Sequence, residues 1–114
     1  MIRSKVVLVP FPFDDLSTFK VRPAICLTES IGQYNHVVVA FISSQLPSEL
    51  LETDIILEPS QDGFMKTGLK VPSVLRLHRI MTIPIDLIQR ELGTLSPNMQ
   101  SEIKNKLRKL FEIS

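Results

Sequence analysis

The chain has 114 residues, 44% of them hydrophobic, and 13 basic against 12 acidic side chains give a net charge of +1. That length predicts one domain over 1–114, and the near-neutral balance does not by itself mark a binder of nucleic acid. A single cysteine excludes an intrachain disulfide, and no run approaches the roughly 18 apolar residues of a membrane-spanning helix.

The first apolar run, Val6-Val7-Leu8-Val9, is short and β-branched and predicts a buried strand. Pro10 and Pro12 imply an edge or a bend where it ends, because proline cannot donate to a ladder. The run follows Arg3 and Lys5 as a signal peptide would. Its prolines, the Asp14-Asp15 that closes it and the missing small-residue cleavage site argue against that reading, so a cytoplasmic protein is expected. Asp14–Lys20 reads as a polar connection. Ala24–Leu27 is the second strand and carries Cys26, whose apolar neighbours predict an inert buried thiol. Ile31–His36, with Gly32 and Asn35, reads as a turn before a third strand at Val37–Ile42.

The second half is more basic. Residues 1–57 carry a charge of −2 and residues 58–114 carry +3, the excess lying in Lys66, Lys70, Arg76, Arg79 and the helix residues Lys104, Lys106, Arg108 and Lys109. Such a patch suits a polyanion, but on a helix it is more often a solvated face. Ile55–Leu57, Ser73–Leu77 and Ile80–Ile83 are weaker strand candidates, separated by a loop punctuated at Asp62-Gly63 and Thr67-Gly68. Asp86–Leu92 predicts a short helix closed by Gly93. Ser96-Pro97 predicts a helix start, with serine as cap and proline in the first turn. Met99, Ile103, Leu107, Leu110 and Phe111 then form one apolar stripe. Short strands with one terminal helix suggest a mainly β fold, a small and partly open antiparallel barrel.

Several blocks resemble the MazF/PemK family of toxin ribonucleases. They are Val6-Val-Leu-Val-Pro-Phe-Pro-Phe-Asp-Asp-Leu-Ser, Lys20-Val-Arg-Pro-Ala, Ala40-Phe-Ile-Ser-Ser-Gln, Gly68-Leu-Lys-Val-Pro-Ser-Val-Leu-Arg with Met81-Thr-Ile, and Leu92-Gly-Thr-Leu. They occur in the family's order over nearly the whole chain. The resemblance implies an SH3-like antiparallel β-barrel with a short helix and a C-terminal α-helix. It also implies a homodimer that cuts single-stranded RNA without a metal or other cofactor and is restrained by a cognate antitoxin.

Position by position, the resemblance makes Arg22 the catalytic arginine beside proline, sets Ser43 where an active-site threonine is usual, and sets Arg76 and His78 on a catalytic Arg-x-Asp pair. The chain departs from the pattern at Ser4-Lys5, where Gly-Asp is common, at Ser43, at His78 and in a 14–20 loop without glycine. A toxin of the same fold that poisons DNA gyrase, or a degenerate member that only binds a partner, are the alternatives.

Such cleavage uses the RNA's own 2′-OH, so the site moves protons and neutralises phosphoryl charge. Arg22 suits the second task, being planar, forked and permanently charged; an ion pair with Asp14 or Asp15 is the competing reading. His78 is the candidate for proton transfer, and in a regular strand it shares a face with Arg76. Ser43 serves either to orient the phosphate or to cap a strand end. Lys20 would hold phosphate, Phe19 and Phe13 would stack a base, and Gln45 would read a base edge. Phe11 and Phe13, in a run with alternating prolines, read more often as core or dimer residues. No cluster has metal-ligand spacing.

Overall fold

A computed structural model of the protein describes residues 1–12 and 19–114, apart from the side chains of Pro12 and Phe19. Among the described residues six strands form one antiparallel sheet: β1 (Lys5–Pro12), β2 (Phe19–Cys26), β3 (His36–Ser43), β4 (Asp54–Leu57), β5 (Ser73–Pro84) and β6 (Arg90–Thr94). Their order is β4-β5-β3-β2-β1-β6, and one helix, α1 (Pro97–Phe111), follows. The expected partly open barrel is this curled sheet.

Both faces of the sheet are buried, which is why the strands read as continuous apolar runs rather than as alternating ones. Val6, Ile25, Ala40, Ile42, Leu75 and Leu77 pack with Met99 and Ile103 of α1. On the opposite face lie Val7, Val9, Phe11, Ala24, Cys26, Val37, Val39, Phe41 and Ile83. Ser96 caps α1 as expected, its hydroxyl accepting from Met99 N–H. Leu107 and Leu110 extend the stripe half-buried, but Phe111 is 57% exposed and does not belong to it.

Three expectations are corrected. The region 86–92 is not a helix. A single 3-10 turn at Ile85–Leu87 leads into β6, because β1 offers an unpaired edge: Gln89 N–H donates to Leu8 O, and Arg90–Thr94 then pair with Leu8–Lys5. Long-range ladder bonds here override local helix propensity. Next, Ser73–Pro84 is one strand rather than two. Finally, β2 begins at Phe19, so Phe19 and Lys20 belong to a strand and not to the connection; 13–18, including Phe13 and Asp14-Asp15, lie outside the described residues.

The prolines fit the sheet. Leu8 turns its carbonyl to the β6 side, and Pro10 and Pro12 share its parity beyond the end of β6, so their missing amides cost no ladder bond. Glycine is required where the 3-10 turn Met65–Thr67 crosses β6. A Cβ at Gly93 would lie on Lys66 O, and one at Gly68 (φ +75°) on Leu92 O.

Candidate active site

The site exists because two strands part. Leu27 N–H donates to Val38 O at 2.8 Å, so the odd residues of β2 turn their amides toward β3. Pro23 is next in that row beyond Ile25. It has no N–H to give, and the β2–β3 ladder ends at Ala24↔Phe41 although both strands run on. Beyond this fork opens a cleft of about 120 Å³, lined by Phe11, Arg22, Phe41, Ile42, Ser43, Gln45, Arg76 and Arg79.

Register puts Phe11, Arg22, Phe41 and Arg76 on one face. Val9 pairs with Arg22, and Val7, Ala24, Phe41, Arg76 and Asp54 form a single rung across β1, β2, β3, β5 and β4. Phe11 and Phe41 pack ring on ring, centroids 3.9 Å apart, as the apolar floor. Arg22 also lines a second cavity of about 330 Å³, which holds Lys70 and Arg90 beside Pro23, Ile42, Leu69 and Leu92.

The pairing of β3 with β5 jumps from Phe41↔Arg76 to Ala40↔Ile80, leaving Leu77, His78 and Arg79 as a bulge. Leu75 before it and Leu77 at its start face α1; after it Ile80 packs on that side while Ile83 faces the other. A bulge bends a strand and re-aims its side chains. Arg79 therefore joins Arg76 in the cleft, whereas His78 is exposed and does not line it. The guanidinium of Arg79 sits 5.3 Å from the centre of the Phe11 ring.

Arg76 is held from behind. Its Nε–H donates to Asp54 Oδ1 at 2.9 Å, and the Asp54 side chain is 0% exposed. Ser43 closes a turn, its Oγ accepting from Gln45 N–H at 3.1 Å and donating to Gln45 O at 3.3 Å. The hydroxyl thus fixes the backbone that carries Gln45.

The structure accordingly brings together Arg22, Ser43, Gln45 and Arg76 of the residues expected from sequence. Lys20 is exposed on β2, opposite Phe11, and does not line the cleft. The side chain of Phe19 lies outside the described residues. Sequence reasoning missed Arg79 and Asp54: Arg79 reads only as part of a basic excess, and Asp54 as one more acid before a strand. Cys26 is buried, and desolvation, then the charges of Glu29 and Glu91, push its thiol up to about 11; it is no nucleophile at neutral pH. Among the described residues no three of His, Cys, Asp and Glu are grouped as a metal site requires. No helix there is long and apolar enough to cross a membrane.

Residues 2–111 match the family of PemK-like, MazF-like toxins of type II toxin–antitoxin systems. No individual curated protein matches by sequence. Among solved structures, the Mycobacterium tuberculosis toxin MazF-mt6 superposes with a TM-score of 0.73 at 20% identity, over 96% of this chain and 98% of that one. An endoribonuclease in complex with its cognate antitoxin, from a Mycobacterial species, gives 0.71 at 15% identity, over 100% and 97%. The MazE–MazF complex of Deinococcus radiodurans gives 0.71 at 15%, over 100% and 98%. At these identities the likeness establishes the fold.

Proposed function

The chain belongs to the PemK-like, MazF-like toxin family of type II toxin–antitoxin systems, and from that premise we propose that it is an endoribonuclease cutting single-stranded RNA through the RNA's own 2′-hydroxyl. The observation that carries this reading is the convergence of Arg22, Arg76 and Arg79 on one cleft with Ser43 and Gln45. Those arginines come from β2 and from either end of the β5 bulge. Clustered fixed cations on a concave surface suit an oxyanion whose charge grows during reaction.

In the proposed reaction the scissile phosphate enters the cleft. The 2′-oxygen attacks phosphorus and loses its proton, the bond to the 5′-oxygen breaks, and that oxygen takes up a proton. Arg22 and Arg76 neutralise the non-bridging oxygens, with Arg79 at the mouth. His78, exposed on the bulge between Arg76 and Arg79, transfers a proton from the rim. Lys20 attracts the flanking backbone, while Phe19 and Gln45 meet the bases. The products are a 2′,3′-cyclic phosphate and a 5′-hydroxyl.

The protein acts in the cytoplasm as a homodimer restrained by a cognate antitoxin. Exposed Leu46, Leu50, Leu51, Phe111 and Ile113 supply apolar surface for such contacts. Light scattering at micromolar concentration gives the expected dimer, and a monomer overturns that part.

The deciding experiment incubates purified protein with a long single-stranded RNA in EDTA and maps the ends. Cleavage with 5′-hydroxyl ends is expected. A requirement for added Mg²⁺, or 5′-phosphate ends, overturns the mechanism. Absence of cleavage overturns the activity.

A further inference from the structure

We propose that Asp54 is a positioning residue, the fixed post that aims Arg76 into the cleft; this rests on the nuclease reading for its effect on cleavage, though not for its geometry. A carboxylate whose side chain is 0% exposed is kept in a fold only when its oxygens are satisfied. Both are. Oδ1 accepts from Arg76 Nε–H at 2.9 Å, and Oδ2 accepts from Leu51 N–H at 2.8 Å. The main chain is held as firmly: Asp54 N–H donates to Leu51 O at 3.0 Å, and Asp54 O accepts from Lys106 Nζ of α1 at 2.8 Å.

The consequence lies in which nitrogen Asp54 takes. An arginine–carboxylate pair commonly engages two nitrogens, fork to fork. The bond here is to Nε, on the stem side of the guanidinium, so it fixes the plane of the group from its base. Arg76 lines the cleft, and its terminal nitrogens are left to meet an incoming phosphoryl oxygen. Without the post, Arg76 is a long side chain on a strand next to a bulge, and ordering it would fall on each encounter with substrate. Asp54 also closes the turn that ends the 44–53 connection, the segment carrying Gln45. One buried acid therefore holds Arg76 and the turn at Leu51 together without touching the reacting atoms.

The test is a double-substitution cycle joined to a direct view of the bond. Asp54→Asn lowers kcat/KM on the order of 10–10²-fold, carried mainly by kcat, as expected when a charge-stabilising group is misplaced rather than lost. In an Arg76→Lys background, which has no Nε, the same substitution changes kcat/KM by no more than about twofold. The NMR resonance of Arg76 Nε–H, assigned by its loss in Arg76→Lys, shifts and exchanges faster with water in Asp54→Asn. Losses that multiply in the Arg76→Lys background, or a resonance unmoved by Asp54→Asn, would overturn the proposal. If Asp54→Asn does not fold, Asp54→Glu keeps the charge but displaces it by a methylene; it folds and loses activity, and full activity overturns the proposal. If the wild type cuts no RNA, the nuclease reading falls, and the resonance alone decides whether Asp54 anchors Arg76.

Discussion

Arg79 holds its guanidinium 5.3 Å from the centre of the Phe11 ring, so the apolar floor of the cleft also seats one of its cations. A cation over an aromatic face gains about 0.5–1 kcal/mol at an exposed site. That is small for stability but sufficient to bias a mobile side chain. Arg79→Ala is expected to lower kcat/KM by about 10–10²-fold, by removing a cation from the developing charge. Arg79→Lys retains most of the activity, because attraction to a ring face does not need a fork. Phe11→Leu stays apolar but removes the seat; its loss is a few-fold and shrinks in an Arg79→Ala background, whereas equal losses in both backgrounds mean that the two act separately. Steady-state cleavage of one short RNA by the wild type and the four variants checks this.

What the sequence made legible here is local, and what it hid is set by pairing. Ser96-Pro97 announces its helix because a cap acts over three residues. Arg22 stands out through the Lys20-Val-Arg-Pro block of the family resemblance; that Pro23 beside it ends a ladder is visible only in the pairing. The strand Arg90–Thr94 was invisible because only the free edge of β1 makes it a strand. The bulge at Leu77–Arg79 was hidden for the same reason: nothing in Leu-His-Arg distinguishes looped-out residues from paired ones. Strict alternation therefore favoured His78 over Arg79 as the companion of Arg76 in the cleft. Asp54 was hidden because its partner lies on another strand, brought opposite only by the β4–β5 register.

The buried thiol predicts a loss of stability in alkali. Burial raises the Cys26 pKa from 9.0 to about 11. The unfolded chain therefore releases this proton first, and between those values the folded state binds more protons than the unfolded one. By linkage, the contribution of Cys26 is fully present below pH 9 and is lost as pH rises toward about 11. The maximum loss is on the order of 2–3 kcal/mol. Chemical denaturation of wild type and Cys26→Ala at pH 8 and pH 10.5 is expected to show the steeper fall in wild type. Equal slopes would mean that the thiol ionises in the folded protein.

Arg22 stands at the fork between two cavities, and its substitution separates charge from shape. Arg22→Ala is expected to reduce kcat/KM by about 10²–10³-fold, the scale for removing one donor aimed at a developing oxyanion. Arg22→Lys recovers only part, because an ammonium cannot reproduce a planar bidentate fork. Thermal melts of both variants stay within a few degrees of wild type. A collapse of the melting temperature in Arg22→Ala would make the residue a structural ion pair, and the cleft's chemistry would then rest on Arg76 and Arg79.

His78 poses the sharpest choice, because it is exposed on the bulge while its neighbours Arg76 and Arg79 line the cleft. Proton transfer does not require the imidazole to line the apo cleft, since catalytic contacts often tighten only when substrate binds. If His78 moves the proton, His78→Ala lowers kcat/KM by about 10²-fold and removes one limb of the pH–rate profile. His78→Asp then keeps appreciable activity, since a carboxylate can accept the same proton, with its limb moved to lower pH. His78→Gln holds hydrogen bonds but no titratable proton, and it matches the alanine variant. If instead His78→Ala leaves both rate and profile unchanged, the histidine is a bystander. The pattern then expected is a flat profile through neutrality and a rate that depends on Arg22, Arg76 and Arg79, with the 2′-proton leaving to water.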